Sequence, residues 1–377
     1  MDKVIAVVDL GFGSSGKGLL AGSLAHIVDF DTVIHANHPN AGHTFQKDGH
    51  RWVFRMTANS FMAPSVKHML IGPGAVLDVD CLISELRSLD VFGFLGQKEV
   101  IIHPNCVLLT PEHAQAEKQL VSIGSTMKGS AEAVITKMRR RPEQQVIARD
   151  CQREITLKCY NAGIKNVHVS LDAYELAIDQ SKLALVEGAQ GHSLSIHSRF
   201  YPYCTSRDVS INQMFSDCAL PRMDKIDLIV AGTLRTLPIR VANRFDNDGN
   251  QIGTSGPPYP DQTELNWKED LNREPELTTV TRLPRRIFTF STIQLEEACR
   301  INRPDMFFLS FCDYLAPDPG VNETQPEEVI ELRDTIQQYG KAPVRVISYG
   351  PDFDNMRFAM GYSQYTFSDR VFTAHHW

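Results

Sequence analysis

Apolar residues recur along this chain in short unbroken runs rather than in strict alternation. The runs Val4–Val8, Val33–His35, Met69–Ile71, Glu99–Ile102, Ala184–Val186, Leu228–Val230, Met306–Phe311 and Val344–Ile347 read as strands hidden on both faces. Between them lie stretches with apolar positions three and four apart, predicting helices over Leu19–Ile27, Asp80–Leu89 and Pro326–Tyr339. Buried strands spaced by amphipathic helices predict an α/β fold with a mostly parallel central sheet covered by helices. From about 111 to 180 the chain is richer in charge and helix formers and reads as a helical insertion within a single domain spanning 1–377. From Arg244 to Lys268 it is polar and rich in Gly, Pro and Asn, a long loop of the kind that more often serves a site than a connection.

The 377 residues are 42% hydrophobic and 22% charged, enough apolar matter for a large core. A net charge of −7 offers no general attraction for nucleic-acid polymers or anionic membranes, so any phosphate ligand needs a local positive site. The eight cysteines are scattered without a C-x-x-C pair, which argues against a zinc site or disulfide framework and fits a reducing cytoplasm. The first strand predicts a chain with no leader before it, and no apolar run approaches the ~18 residues of a membrane span.

The first run empties into Gly11-Phe12-Gly13-Ser14-Ser15-Gly16-Lys17-Gly18. A strand followed by a glycine-rich turn ending in Gly-Lys aims backbone N–H groups and one ammonium at phosphates, a P-loop-like arrangement. The spacing meets the P-loop pattern except at Gly18, where a Ser or Thr hydroxyl would meet magnesium. Asn37-His38-Pro39-Asn40-Ala41-Gly42-His43-Thr44 follows a second strand, where open α/β sheets place their ligand crevice, and a histidine there suits a developing oxyanion. Glu187-Gly188-Ala189-Gln190-Gly191 and Tyr201-Pro202-Tyr203-Cys204-Thr205-Ser206 follow a third. Lys137-Met138-Arg139-Arg140-Arg141 reads as a solvated helix end or as a phosphate clamp. Thr278-Thr279-Val280-Thr281-Arg282-Leu283-Pro284-Arg285-Arg286 sets hydroxyls beside guanidiniums, which suits a dicarboxylate.

In this order the segments resemble the adenylosuccinate synthetase family, whose pattern is G-D-E-G-K-G, N-A-G-H-T, E-G-A-Q-G, Y-P-Y-x-T-S and a Thr/Arg loop. The second, third and fourth match almost letter for letter, and the likeness runs from residue 3 to about Asp352. It implies phosphorylation of a purine nucleotide at its 6-oxo group by a nucleoside triphosphate, then displacement by aspartate, with Mg²⁺. It assigns catalysis to His43, Ser14, Lys17 and Gln190, with His43 at the oxyanion. The triphosphate would lie against Gly13, Ser14, Ser15, Gly16, Lys17, Gly18, Gly42, His43 and Thr44, with its base near Asp313, Ser348, Gly350 and Pro351. The Gly42 carbonyl and Ser14 would meet the metal. Ser14, Asn40, Thr126, Gln190 and Thr205 would hold the purine nucleotide, and Arg140 would reach its 5′-phosphate across a homodimer interface. Thr279, Val280, Thr281 and Arg285 would take L-aspartate.

Three departures refine that expectation. Ser14 stands where the synthetase has the acid that removes the proton from purine N1, and a Ser hydroxyl is no base at neutral pH without activation. The shorter side chain opens room at the N1–C2 edge, where guanine carries an amino group. A phage-encoded branch of the family shares this replacement and resembles the chain also over Gly253–Leu265; it couples aspartate to dGMP on the route to 2-aminoadenine. The aspartate loop reads Arg282-Leu283 where the synthetase has Gly-Arg, which suits a sugar lacking its 2′-hydroxyl. The guanine-reading T-K-x-D becomes Ser310-Phe311-Cys312-Asp313, and an aromatic face stacks on any base, so ATP or dATP is expected in place of GTP. The expected reaction is therefore ligation of L-aspartate to dGMP. Its rivals are an IMP- and GTP-using synthetase and a non-catalytic nucleotide sensor. For the N1 proton, Asp9 and a magnesium-bound water positioned by Ser14 remain open.

Overall fold

The chain's structure, a computed structural model, describes residues 1–118, 123, 127–141, 143, 144, 146–246, 248–278, 282–321 and 323–358. Its centre is a ten-stranded sheet built from β1 (Lys3–Asp9), β2 (Thr32–His35), β3 (His68–Ile71), β4 (Glu99–Ile102), β5 (Val167–Val169), β6 (Leu183–Glu187), β7 (Asp227–Arg235), β8 (Met306–Ser310), β9 (Val344–Ser348) and β10 (Met356–Phe358). Across the sheet the order is β10-β9-β8-β7-β1-β6-β2-β3-β4-β5. Every neighbouring pair runs parallel except β9 and β10, which are antiparallel at one edge.

All eight predicted strands are present, seven of them within a residue of the predicted ends; the run Leu228–Val230 is the core of a longer strand, Asp227–Arg235. They are legible because they are covered on both faces: Val4, Ile5, Ala6 and Val7 of β1 and Ala184, Leu185 and Val186 of β6 are all within 1% of complete burial. The predicted helices appear as Lys17–Ile27, Val79–Val91 and Glu327–Gly340. Asp78 caps the second of these, its carboxylate accepting from Cys81 N at 3.0 Å.

The region 111–180 is only partly the expected helical insertion. It holds the helices Pro111–Glu117, Ser130–Met138, Gln152–Asn161 and Leu171–Gln180, but Val167–Val169 joins the main sheet as its edge strand β5 beside β4. Val167 and Val169 point into the core while His168 is exposed, so three alternating residues carry the pattern and charge around them hides it. The loop 244–268 contains two short ladders, Arg244–Phe245 with Gln251–Gly253 and Glu264–Leu265 with Arg286–Phe288. Tyr259 in this loop is buried against Phe12 and Phe200, with ring centroids 5.8 and 4.8 Å away. The loop is thereby tied to the glycine turn after β1. Among the described residues no helix is long and apolar enough to cross a membrane.

Candidate active site

In an open parallel sheet the strands' carboxyl ends share one side, and a crevice forms where connections leave β1 in opposite directions. Here β1 lies between β7 and β6, and the segments following β1, β2, β6, β7, β8 and β9 converge on a cavity of about 840 Å³. Gly13, Ser14, Gly16, Lys17 and Gly18 line it from β1, Asn40, Gly42, His43 and Thr44 from β2, and Gln190 and Thr205 from the segment after β6. Arg285, Asp313, Gly350 and Pro351 complete the predicted members.

The glycine turn is shaped from within by Asp9. Its carboxylate accepts from Gly11 N at 2.8 Å, Gly13 N at 3.2 Å, Ser15 N at 3.3 Å, Ser15 Oγ and Lys17 Nζ at 2.9 Å. The Asp9 side chain is fully covered, so this candidate for the N1 proton is a scaffold of the turn rather than a group facing the cavity. Ser15 also turns away, its hydroxyl 2.5 Å from Thr233 Oγ1, and Ser348 sits behind the wall bonding Gly350 O at 2.5 Å. Ser14 does the opposite. Held at φ 55°, it is exposed on the cavity wall.

Gly18 completes the account of the imperfect P-loop. A Cβ there would lie 2.6 Å from the Thr44 carbonyl and 2.5 Å from Asn59 Nδ2, so neither Ser nor Thr fits. Gly191 is equally constrained: a Cβ would meet Asp9 Oδ1 at 2.5 Å, where the segment after β6 crosses the glycine turn. That crossing brings Gln190 Nε2 within 3.3 Å of Asn40 Oδ1.

His43 is buried with Nδ1 3.7 Å from Glu187 Oε2, the last residue of β6. Glu187 is anchored by Ser60, whose N donates to Oε1 at 3.0 Å and whose hydroxyl also donates there. Burial alone would raise the Glu187 carboxyl, but His43 and the Ser60 donors outweigh it and hold it below the ordinary range. His35 lies beneath them, neutral, pulled down to about 4 by burial and then by His43 against the opposing pull of Glu187. Glu187 sat inside a motif read for its glycines and glutamine, and nothing local in the sequence marks its side chain as the partner of His43.

Other cavity-lining side chains escaped sequence reading for the same reason. Arg240, pushed down to about 9 chiefly by burial, stacks on Phe12 and Phe200 and donates to Pro257 O and Tyr203 O at 2.9 and 3.0 Å. Asp313 lines the cavity but is engaged by Arg273 at 3.2 Å, and burial, against that pairing, raises its carboxyl. Arg140 lies exposed and outside the cavity of the single chain. The predicted Thr126, Thr279, Val280 and Thr281 fall outside the described residues.

The adenylosuccinate synthetase family model matches residues 6–159 and 156–322. The chain belongs to the adenylosuccinate synthetase family. Within that family it is 41% identical over 338 residues to the N6-succino-2-amino-2′-deoxyadenylate synthase of Acinetobacter phage SH-Ab 15497, covering 84% of this chain and 86% of that one. It is also 41% identical over 372 residues to the synthase of the same name from Salmonella phage PMBT28, covering 95% and 98%. The solved cyanophage S-2L succinoaminodeoxyadenylate synthetase, bound to dGMP and dATP as an energy donor, superposes with a TM-score of 0.82 at 35% identity over 98% of both chains. The synthetase of Plasmodium falciparum shares the fold at a TM-score of 0.72 and 19% identity, over 95% of this chain and all of that one.

The family implies magnesium. Among the described residues no three His, Cys, Asp or Glu side chains are grouped to hold an ion. The cavity instead offers hard oxygens, the Ser14 hydroxyl and the Gly42 carbonyl, beside Lys17. That donor set fits a Mg²⁺ carried in largely by substrate phosphates, its usual mode.

Proposed function

We propose that the chain is a carbon–nitrogen ligase joining L-aspartate to dGMP, with ATP or dATP as phosphate donor, to give N6-succinyl-2-amino-2′-deoxyadenylate. The observation that carries this reading is Ser14, a short side chain exposed on the cavity wall where the family's acid would stand. It leaves room for a 2-amino group and offers a hydroxyl to it. The naming of the phage relatives and of the cyanophage complex supports the same substrates.

In the proposed path the guanine 6-oxo oxygen attacks the donor's γ-phosphorus as the N1 proton passes to cavity water beside Ser14, and ADP or dADP leaves. The aspartate amine then attacks C6 and inorganic phosphate departs. His43, with Nδ1 buried against Glu187, keeps Nε2 for the cavity side and donates to the oxygen as charge develops there. Gln190 and Asn40, already in contact, orient the purine. Lys17 and the turn bind the donor phosphates; Ser14 and Gly42 would hold Mg²⁺, which would supply charge neutralisation there. The half-buried ring of Phe311 offers the donor's base a stacking face, while Asp313 is occupied by Arg273 rather than free to read guanine. Arg285 is the described residue for an aspartate carboxylate. Arg140, directed outward, serves the 5′-phosphate in a second copy of the chain.

The test is turnover of purified protein with dGMP, GMP and IMP, each with aspartate and ATP, dATP or GTP. Succinyl product from dGMP with ATP or dATP supports the reading. Product from IMP with GTP and none from dGMP overturns it, and phosphate-free binding of all three indicates a sensor.

A further inference from the structure

Arg235 ends β7, and its side chain is only 2% exposed. A guanidinium so deeply placed needs partners on every side. It grips Glu276 with both terminal nitrogens, Nη2 to Oε1 at 2.5 Å and Nη1 to Oε2 at 3.3 Å. Nη1 also donates to the Ser14 carbonyl at 3.3 Å. Its flat face lies 3.6 Å from the centroid of the Phe311 ring. Tyr314 closes the cluster, donating its hydroxyl to Glu276 Oε1 at 2.5 Å and meeting the Phe311 ring edge-on at 5.3 Å.

The partners belong to different parts of the cavity. Phe311, at φ 62° with its carbonyl held by Thr236 Oγ1 at 2.7 Å, is the wall assigned above to the donor's base. Glu276 accepts the Arg285 amide at its own carbonyl at 2.8 Å, and Arg285 is the residue assigned to aspartate. Ser14 belongs to the turn between them. Phe311, Glu276, Ser14 and Arg285 all line the cavity, and Arg235 stands behind them.

We propose that Arg235 is a positioning residue that couples the donor-base wall to the aspartate wall, so that a donor stacked on Phe311 raises the affinity for aspartate. The coupling rests on the assignment of those two walls under the proposed function. A plane wedged between a ring and a carboxylate cannot follow one without moving against the other, so ligands at either wall bias the same arrangement. Only arginine can stack with its face while donating along its edge; lysine is a point charge with neither property.

The test is calorimetric titration of aspartate into the dGMP-loaded chain, with and without a non-hydrolysable ATP analogue. The wild-type chain should bind aspartate about tenfold more tightly with the analogue present. Arg235→Lys should bring that ratio to within about twofold of unity. Glu276→Gln, which keeps shape and an acceptor, should also reduce it and serves if Arg235→Lys does not fold. A structural role alone would lower melting temperature and both affinities yet leave the ratio intact. No coupling in the wild-type chain, or full coupling in a folded variant, overturns the inference. Turnover of the wild-type chain with dGMP, ATP and aspartate is measured alongside: its absence overturns the functional reading, and its presence without coupling overturns this inference alone.

Discussion

His43 and Glu187 form a buried pair at the meeting of β2's following segment and β6, 3.7 Å apart, with Ser60 fixing the carboxylate from the far side. The carboxylate lies against Nδ1 and leaves Nε2 to the cavity side. In Glu187→Gln the ring loses its charged partner while Ser60 keeps an acceptor. We expect kcat for dGMP to fall roughly 100-fold with KM for dGMP little changed. Steady-state kinetics check the split, and an equal loss in binding would contradict it.

Glu187 and His35 also contribute to the response to acid. The Glu187 carboxyl is held below its ordinary value of 4.5, so its contribution is present above that value and disappears as pH falls through the lowered one. His35 titrates at about 4 in the folded chain against 6.5 when unfolded, so the unfolded chain takes up its proton first and stability declines as pH drops from about 6.5 towards 4. That difference amounts to about 3 kcal/mol. Melting temperatures at pH 7.5, 5.5 and 4.5 should fall in that order, and His35→Asn should flatten the decline.

Ser14→Asp should crowd the 2-amino group and restore an acid beside N1. Specificity should move towards IMP, with kcat/KM for dGMP lowered by at least about tenfold. Competition assays with the two nucleotides measure this; unchanged preference would remove Ser14 from the account of specificity.

Phe311→Lys replaces the stacking face with an ammonium set against the Arg235 guanidinium, now 3.6 Å from the ring centroid. KM for ATP should rise about tenfold from lost stacking. Initial rates across ATP, dATP and GTP check it.

Gly18→Ser supplies the hydroxyl that the P-loop pattern lacks, but its Cβ would lie 2.6 Å from the Thr44 carbonyl. We expect a destabilisation of about 1–3 kcal/mol, read by thermal melting, and weaker ATP binding rather than stronger.

How much of this was legible in the sequence depended on distance along the chain. The strands declared themselves because burial on both faces leaves a continuous apolar run, as in Val4–Val8. The glycine turn and the Asn40–Thr44 segment were visible because each packs its chemistry into a few consecutive residues. β5 was hidden, since three residues with a histidine at the centre give too short a period. Asp9 was misread as a candidate base because an acid at a strand end looks the same whether it faces the cavity or gathers the backbone amides of the next turn. Arg235 and Glu276 carry meaning through each other, 41 positions apart, and Glu187 through His43, 144 positions away, which no local pattern encodes.

The ion pair between Lys17 and Asp9 has a consequence for turnover. A cation without a resident counterion would hold triphosphate and diphosphate alike, and the spent nucleotide would be slow to leave. Under the proposed function an incoming donor would take over an ammonium that already has a companion 2.9 Å away, and departing diphosphate would hand it back. Binding becomes an exchange of partners rather than the capture of a bare charge. The turn therefore keeps its shape between cycles, and the strength of the grip is graded by how many phosphate oxygens outbid one carboxylate.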